Sequence, residues 1–195
     1  MDWRIFHALN HQLAGHSTAQ RAVRDFNSYA ILVLAAAAAV LWLLARPGGS
    51  PRLKLATAGA AASAVLAIVA NAVLGKIWYQ DRPFVDHPRQ TVLVAHHAAN
   101  NAFPSDHASV AFAIAFAVLL LAWRLGIAFL LLALAIGVGR IFEGVHYPSD
   151  ILASLLVGLG AALVVVVLGR RPLEWAVRQL SRVTDPVVAP AWRRF

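Results

Sequence analysis

Five stretches of this chain carry no charged side chain: residues 26–45, 55–75, 108–123, 125–139 and 151–169. A helix needs about 17–25 predominantly apolar residues to cross the hydrocarbon of a bilayer. Three runs reach that length unaided, and the two shorter ones reach it with their polar flanks. A soluble helix bundle would keep a polar face along each helix, whereas these runs are apolar on every side. Only 13% of the chain is charged, where soluble domains carry roughly a quarter. The expected fold is therefore all-α, a polytopic membrane bundle with five clear spans. At 195 residues the length allows one integral-membrane domain, 1–195.

The flanks differ from the spans. Within residues 1–25, Trp3, Ile5, Phe6 and Leu9 recur at near-helical spacing between Arg4, His7 and His11, a pattern for an interfacial N-terminal arm. Residues 170–195 form a basic amphipathic tail with Trp175, Val177, Leu180 and Trp192. A Pro/Gly turn around Pro47, Gly48, Gly49 and Pro51 separates the first two spans. There is no cysteine, which excludes disulfide and thiolate chemistry. The N-terminus shows no short apolar core followed by a cleavage site, so the first span is expected to do the targeting. A net charge of +8 suits nucleic acid in principle, but the bases cluster at the ends of spans, where topology signals and lipid headgroups place them. No nucleic-acid partner is expected.

Threading five spans brings the end of the second, the start of the third, the end of the fourth and the start of the fifth to one surface. Lys76, Arg82, Ser105, His107, Arg140, His146 and Asp150 then meet there. The other surface receives Arg46, Arg52, Lys54, Arg124, Arg170, Arg171, Arg178, Arg182, Arg193 and Arg194, ten of the 17 basic residues. The positive-inside rule assigns that side to the cytoplasm and turns the polar cluster outward.

Each cluster has a chemical use and a plainer alternative. Pro104 opens a helix whose first N–H groups make an anion site, Ser105 adds a hydroxyl, and His107 can exchange a proton near neutral pH. A helix cap with an interfacial histidine fits the same residues. His146 and Asp150 stand four apart across Pro148, so that the carboxylate can hold Nδ1–H and leave Nε2 free to attack. Arg140 suits an oxyanion, or a buried ion pair with Asp150. Pro83 disfavours helix at Arg82, so the helix is expected to end near Gln80 and the chain to swing Arg82 back. Three fixed cations, a helix N-terminus and two histidines together describe phosphoryl transfer.

These clusters resemble the signature of the type 2 phosphatidic acid phosphatase superfamily. Lys76, Arg82 and Pro83 match its first motif, Pro104, Ser105 and His107 its second, and Arg140, His146 and Asp150 its third. Two departures stand out: Gly139 occupies the place of a serine, and the gap from Lys76 to Arg82 is one residue short. Within the family the chain is most similar to bacterial undecaprenyl-diphosphate phosphatases, on Asp106 within the second motif, on the run Gly144, Val145, His146, Tyr147, Pro148, and on the opening Ile5 and Phe6 through Asn10 with Ala14, Gly15, His16 and Ser17. The resemblance implies a six-helix core, the sixth helix coming from the arm or the tail. It implies His146 as nucleophile through a phosphohistidine, oriented by Asp150. It implies His107 as proton donor, and Lys76, Arg82, Ser105 and Arg140 as holders of the phosphoryl group. It implies no metal and no cofactor, a lipid diphosphate substrate drawn from the bilayer, and a multi-pass protein of the bacterial inner membrane with its site facing the periplasm or exterior.

Asp106, Glu143 and His97 are expected at the rim. Three competing functions remain open on the residues alone. A phosphatase of phosphatidic acid or phosphatidylglycerol phosphate would use the same groups. A metal-dependent hydrolase would use His96, His97, His107 and Asp81 or Asp86, but leaves Arg82 and Arg140 unexplained. A small transporter would place its charges near the midplane.

Overall fold

In the computed structural model, which describes residues 1–192, every regular element is a helix. Arg193 and Arg194, counted above, lie outside the described residues. Helix α1 is Asp2–Asn10, α2 Ser17–Leu44, α3 Arg52–Ile77, α4 a single turn Pro83–Asp86, α5 Asp106–Leu121 and α6 Trp123–Phe142. Helix α7, Pro148–Leu163, runs on through a π-helical stretch, Val164–Leu168, and α8 is Arg170–Trp192.

Four helices, α2, α3, α6 and α7 with its extension, are long and apolar enough to cross a membrane. The protein is a multi-pass membrane protein. The third expected span, α5, has only 16 residues, or roughly 24 Å against a hydrocarbon layer of about 30 Å. It tolerates that length because protein encloses it on three sides: α3, α6 and α7 pack around it. Ala108, Ala111, Phe112, Ala115 and Val118 are fully buried. The bundle is apolar outside, where Leu32, Val65, Ile68, Leu131, Leu152 and Leu156 are exposed, and polar in places within, at Asn27, Ser63, Asn71, Ser109 and Ser154. That inversion is what a lipid solvent selects.

The two flanks are helices at opposite ends of the bundle, and among the described residues neither is long and apolar enough to supply a sixth span. Helix α1 has nine residues, and α8 carries Arg170, Arg171, Glu174, Arg178, Arg182 and Asp185. Helix α8 docks through Leu173 and Val177 against Leu55. The Lys54 ammonium donates to Ser181 Oγ at 3.2 Å and pairs with Asp185, while the Trp42 indole N–H donates to Thr184 Oγ1 at 3.1 Å. Helix α1 does more than lie at an interface. Its Phe6 is fully buried and meets the edge of Tyr147, ring centroids 5.5 Å apart. The Asp2 carboxylate accepts from the N–H and hydroxyl of Ser149. Asn10 donates to the carbonyls of Val92 and Phe142, each at 2.9 Å, and accepts from Val92 N–H at 2.8 Å. The arm is a strap over the end of the bundle where α6 gives way to α7.

Candidate active site

The C-terminus of α6 sets the geometry. Gly144 has φ +87°, the left-handed conformation that glycine adopts without strain. Val145 N–H bonds back to Arg140 O at 3.4 Å and Gly144 N–H to Ile141 O at 3.0 Å, which closes the helix in a Schellman turn. The reversal delivers His146 directly to the start of α7. There Asp150, in the first turn, accepts the Tyr147 N–H through Oδ2 at 2.8 Å and faces His146 Nδ1 with the same oxygen at 3.4 Å. Asp150 is 0% exposed and His146 3%.

Arg82 arrives from the other side. Helix α3 ends at Ile77, a little before the expected Gln80, and Arg82 is extended with φ −76° and ψ 151°. The guanidinium is gripped by Asn100, whose Oδ1 accepts from Nε at 3.0 Å and from Nη2 at 2.9 Å. Nη1 donates to Val145 O at 3.0 Å and stands 3.3 Å from His146 Nε2. Asn101 ties this loop to the end of α3, donating to Gly75 O at 3.0 Å and Trp78 O at 2.9 Å and accepting from Phe103 N–H at 3.0 Å. Burial, with Arg140 nearby, lowers the Arg82 pKa to about 10, so it stays cationic at neutral pH.

Arg140 is buried and its Nη1 donates to Glu143 Oε2 at 2.6 Å. It is not paired with Asp150. Ser105, before α5, is fully buried, and its carbonyl accepts from Ser154 Oγ at 3.0 Å. Ser105 Oγ and Arg140 Nε are buried with no partner among the described residues, and His146 Nδ1 makes no hydrogen bond closer than its 3.4 Å approach to Asp150 Oδ2. Burial drives the His146 pKa well below 6.5, reinforced in turn by Arg140, Arg82, His97 and His107. Burial and Arg82 also lower the His97 pKa, which puts that loop histidine against the same positive field.

The remaining sequence expectations divide. Asp106 is exposed and accepts from Asn71 Nδ2 at 2.8 Å, as suits a rim group. Glu143 is not a rim carboxylate. It is 5% exposed, because α2 covers it and Asn27 Nδ2 donates to Oε2 at 2.9 Å. Burial raises its pKa, while Arg140 and Asn27 pull it back. Lys76 is exposed at the last turn of α3 and makes no side-chain hydrogen bond among the described residues. The ligand set of a metal hydrolase is not assembled: no group of three or more acidic or histidine side chains converges among the described residues. Asp86 instead accepts from the Tyr147 hydroxyl at 2.9 Å. Asn27 and Ser154, which bond to Glu143 and to the Ser105 carbonyl, belong to none of the motifs.

The pattern that describes the PAP2 superfamily matches residues 55–172. Undecaprenyl-diphosphatase BcrC of Bacillus subtilis (strain 168) is 32% identical over 160 residues, 82% of this chain and 79% of that protein. The bacitracin transport permease protein BcrC of Bacillus licheniformis is 42% identical over 108 residues, 52% of either chain. Among solved structures, Aquifex aeolicus LpxE aligns with a TM-score of 0.69 at 23% identity, covering 85% of this chain and 94% of that one, a likeness of fold.

Proposed function

The chain belongs to the PAP2 superfamily, and on that premise we propose that it is a metal-independent lipid phosphatase that converts undecaprenyl diphosphate to undecaprenyl phosphate. One observation carries the reading. Ser105 Oγ and Arg140 Nε, on different elements, are buried donors without an acceptor. Each such group costs about 1–3 kcal/mol, and an arriving phosphoryl oxygen would satisfy both. The name of the Bacillus subtilis relative supports the choice of lipid.

In the proposed reaction the terminal phosphoryl group sits among Arg82, Arg140, Ser105 and the first N–H groups of α5. His146 Nε2 attacks phosphorus, the bond to the bridging oxygen breaks, and His107 gives its proton to the departing lipid monophosphate. Asp150 holds Nδ1–H and balances the charge that grows on the ring. Water, deprotonated by His107, then attacks the phosphohistidine. The P–N bond breaks, inorganic phosphate leaves, and both histidines return to their starting states. Lys76 extends the positive field at the mouth. The fixed guanidinium groups take the part a metal ion has elsewhere.

The bilayer supplies the substrate. The basic end of the bundle, with Arg46, Arg52, Arg124 and α8, is read as cytoplasmic, so the site faces the periplasm or exterior of the bacterial plasma membrane. The test is phosphate release from undecaprenyl diphosphate, phosphatidic acid and phosphatidylglycerol phosphate, each with and without chelator. Release that survives the chelator and is fastest on undecaprenyl diphosphate is expected; release abolished by the chelator would overturn the mechanism.

A further inference from the structure

We propose that Asn27 and Glu143 are positioning residues for the phosphate-binding guanidinium of Arg140, and that residue 139 is glycine because Asn27 occupies the space a side chain would need. The inference rests on Arg140 being a phosphate ligand, as proposed above.

The observations form a chain of contacts across two helices. Asn27, on α2, uses one amide nitrogen twice, donating to Gly139 O and to Glu143 Oε2, each at 2.9 Å. The same carboxylate oxygen accepts from Arg140 Nη1 at 2.6 Å. All three side chains are almost wholly buried. A carboxylate there without partners would be strongly disfavoured, so the amide and the guanidinium are what allow it.

A guanidinium is planar and rigid, so fixing one nitrogen fixes the aim of the others. With Nη1 committed to Glu143, Nε is left as the buried, unpartnered donor. Glu143 therefore decides which edge of Arg140 is free for an anion. Gly139 belongs to the same device. A Cβ at that position would fall on the Asn27 amide oxygen, closer than non-bonded atoms approach. The hydroxyl that a serine would have offered here is absent, and Asn27 stands in its space.

A mere stitch between α2 and α6 would affect stability. A positioning role affects phosphate affinity, and only through Arg140. The experiment titrates inorganic phosphate into the full-length protein in lipid nanodiscs, followed by phosphorus NMR, which needs no turnover, with thermal unfolding in parallel. Glu143→Gln and Asn27→Ala are each expected to weaken phosphate about tenfold, the scale of one charge-assisted hydrogen bond, and to raise KM more than they lower kcat. Their joint effect should be less than the product of the two. Glu143→Asp should recover part of the affinity. In an Arg140→Ala background, Glu143→Gln should weaken phosphate no further. Gly139→Ala should weaken it in the wild type and add nothing once Asn27 is alanine.

Equal losses with and without Arg140, or unchanged affinity with a lowered unfolding temperature, would overturn the proposal. If Arg140→Ala alone leaves phosphate binding and turnover intact, the assignment of Arg140 falls and this proposal with it. If Arg140→Ala weakens binding and the Glu143 and Asn27 variants do not, only this proposal falls.

Discussion

Arg82 Nη1 lies 3.3 Å from His146 Nε2. A guanidinium has no acceptor, so Nε2 must present its lone pair, and the single proton of a neutral ring must be on Nδ1, facing Asp150 Oδ2 at 3.4 Å. The resting site thus holds the tautomer that the proposed attack by Nε2 requires.

The first expectation concerns pH. A free histidine is half protonated at 6.5, and burial with neighbouring cations holds His146 well below that value. A lowered pKa means the ring gives up its proton at more acidic pH, so His146 is neutral at pH 6.5 and for some way beneath it. Nitrogen NMR of imidazole-labelled protein should show the neutral Nδ1–H form there. A doubly protonated His146 at pH 6.5 would contradict the tautomer argument.

Asp150→Asn keeps an oxygen for the Tyr147 N–H but removes the charge opposite His146 Nδ1. The fold should survive. The turnover number is expected to fall roughly 10²–10⁴-fold, with KM changed far less. Steady-state kinetics beside an unfolding curve separate the two effects.

Ser105→Ala removes a buried hydroxyl that has no partner. Deleting an unsatisfied donor costs the resting protein little, so thermal stability should hold or rise slightly. Competitive inhibition by inorganic phosphate should weaken about tenfold. A large loss of stability with unaltered inhibition would show that the hydroxyl serves the fold instead.

Asn10→Ala cuts the strap. It frees Val92 N–H and the carbonyls of Val92 and Phe142, a loss of about 1–3 kcal/mol. Hydrogen exchange should speed up across residues 87–102 and at the start of α7, and kcat/KM should fall with it. Unchanged exchange there would leave α1 as a passive surface helix.

The membrane architecture and most of the site were legible because each is written locally. Long uncharged runs declare spans without help from the rest of the chain. Arg140, His146 and Asp150 sit in one short window and Ser105 in another, each at a helix tip, and the alternation of spans turns both windows to one surface. Asn27 and Glu143 are 116 positions apart, and no local pattern joins them. A single amide at the head of the run 26–45 was the one signal, since polar groups in such runs usually have a partner. Glu143 looked solvated because its cover comes from α2. The stripe of α1 was visible, but periodicity does not say whether an apolar face meets lipid or protein; Phe6 and Asn10 meet protein. Helix α2 begins at Ser17, well before its uncharged run, and its first turns carry Arg21, Arg24 and Asp25 exposed.

The most direct measurement of the central claim is to trap the intermediate. The full-length protein is mixed with undecaprenyl diphosphate labelled in its terminal phosphate, quenched in base, where phosphohistidine survives, and mapped by mass spectrometry. The phosphoryl group should be found on His146 and should disappear, together with phosphate release, in His146→Ala. Sustained turnover by His146→Ala, or label on any other residue, would contradict it.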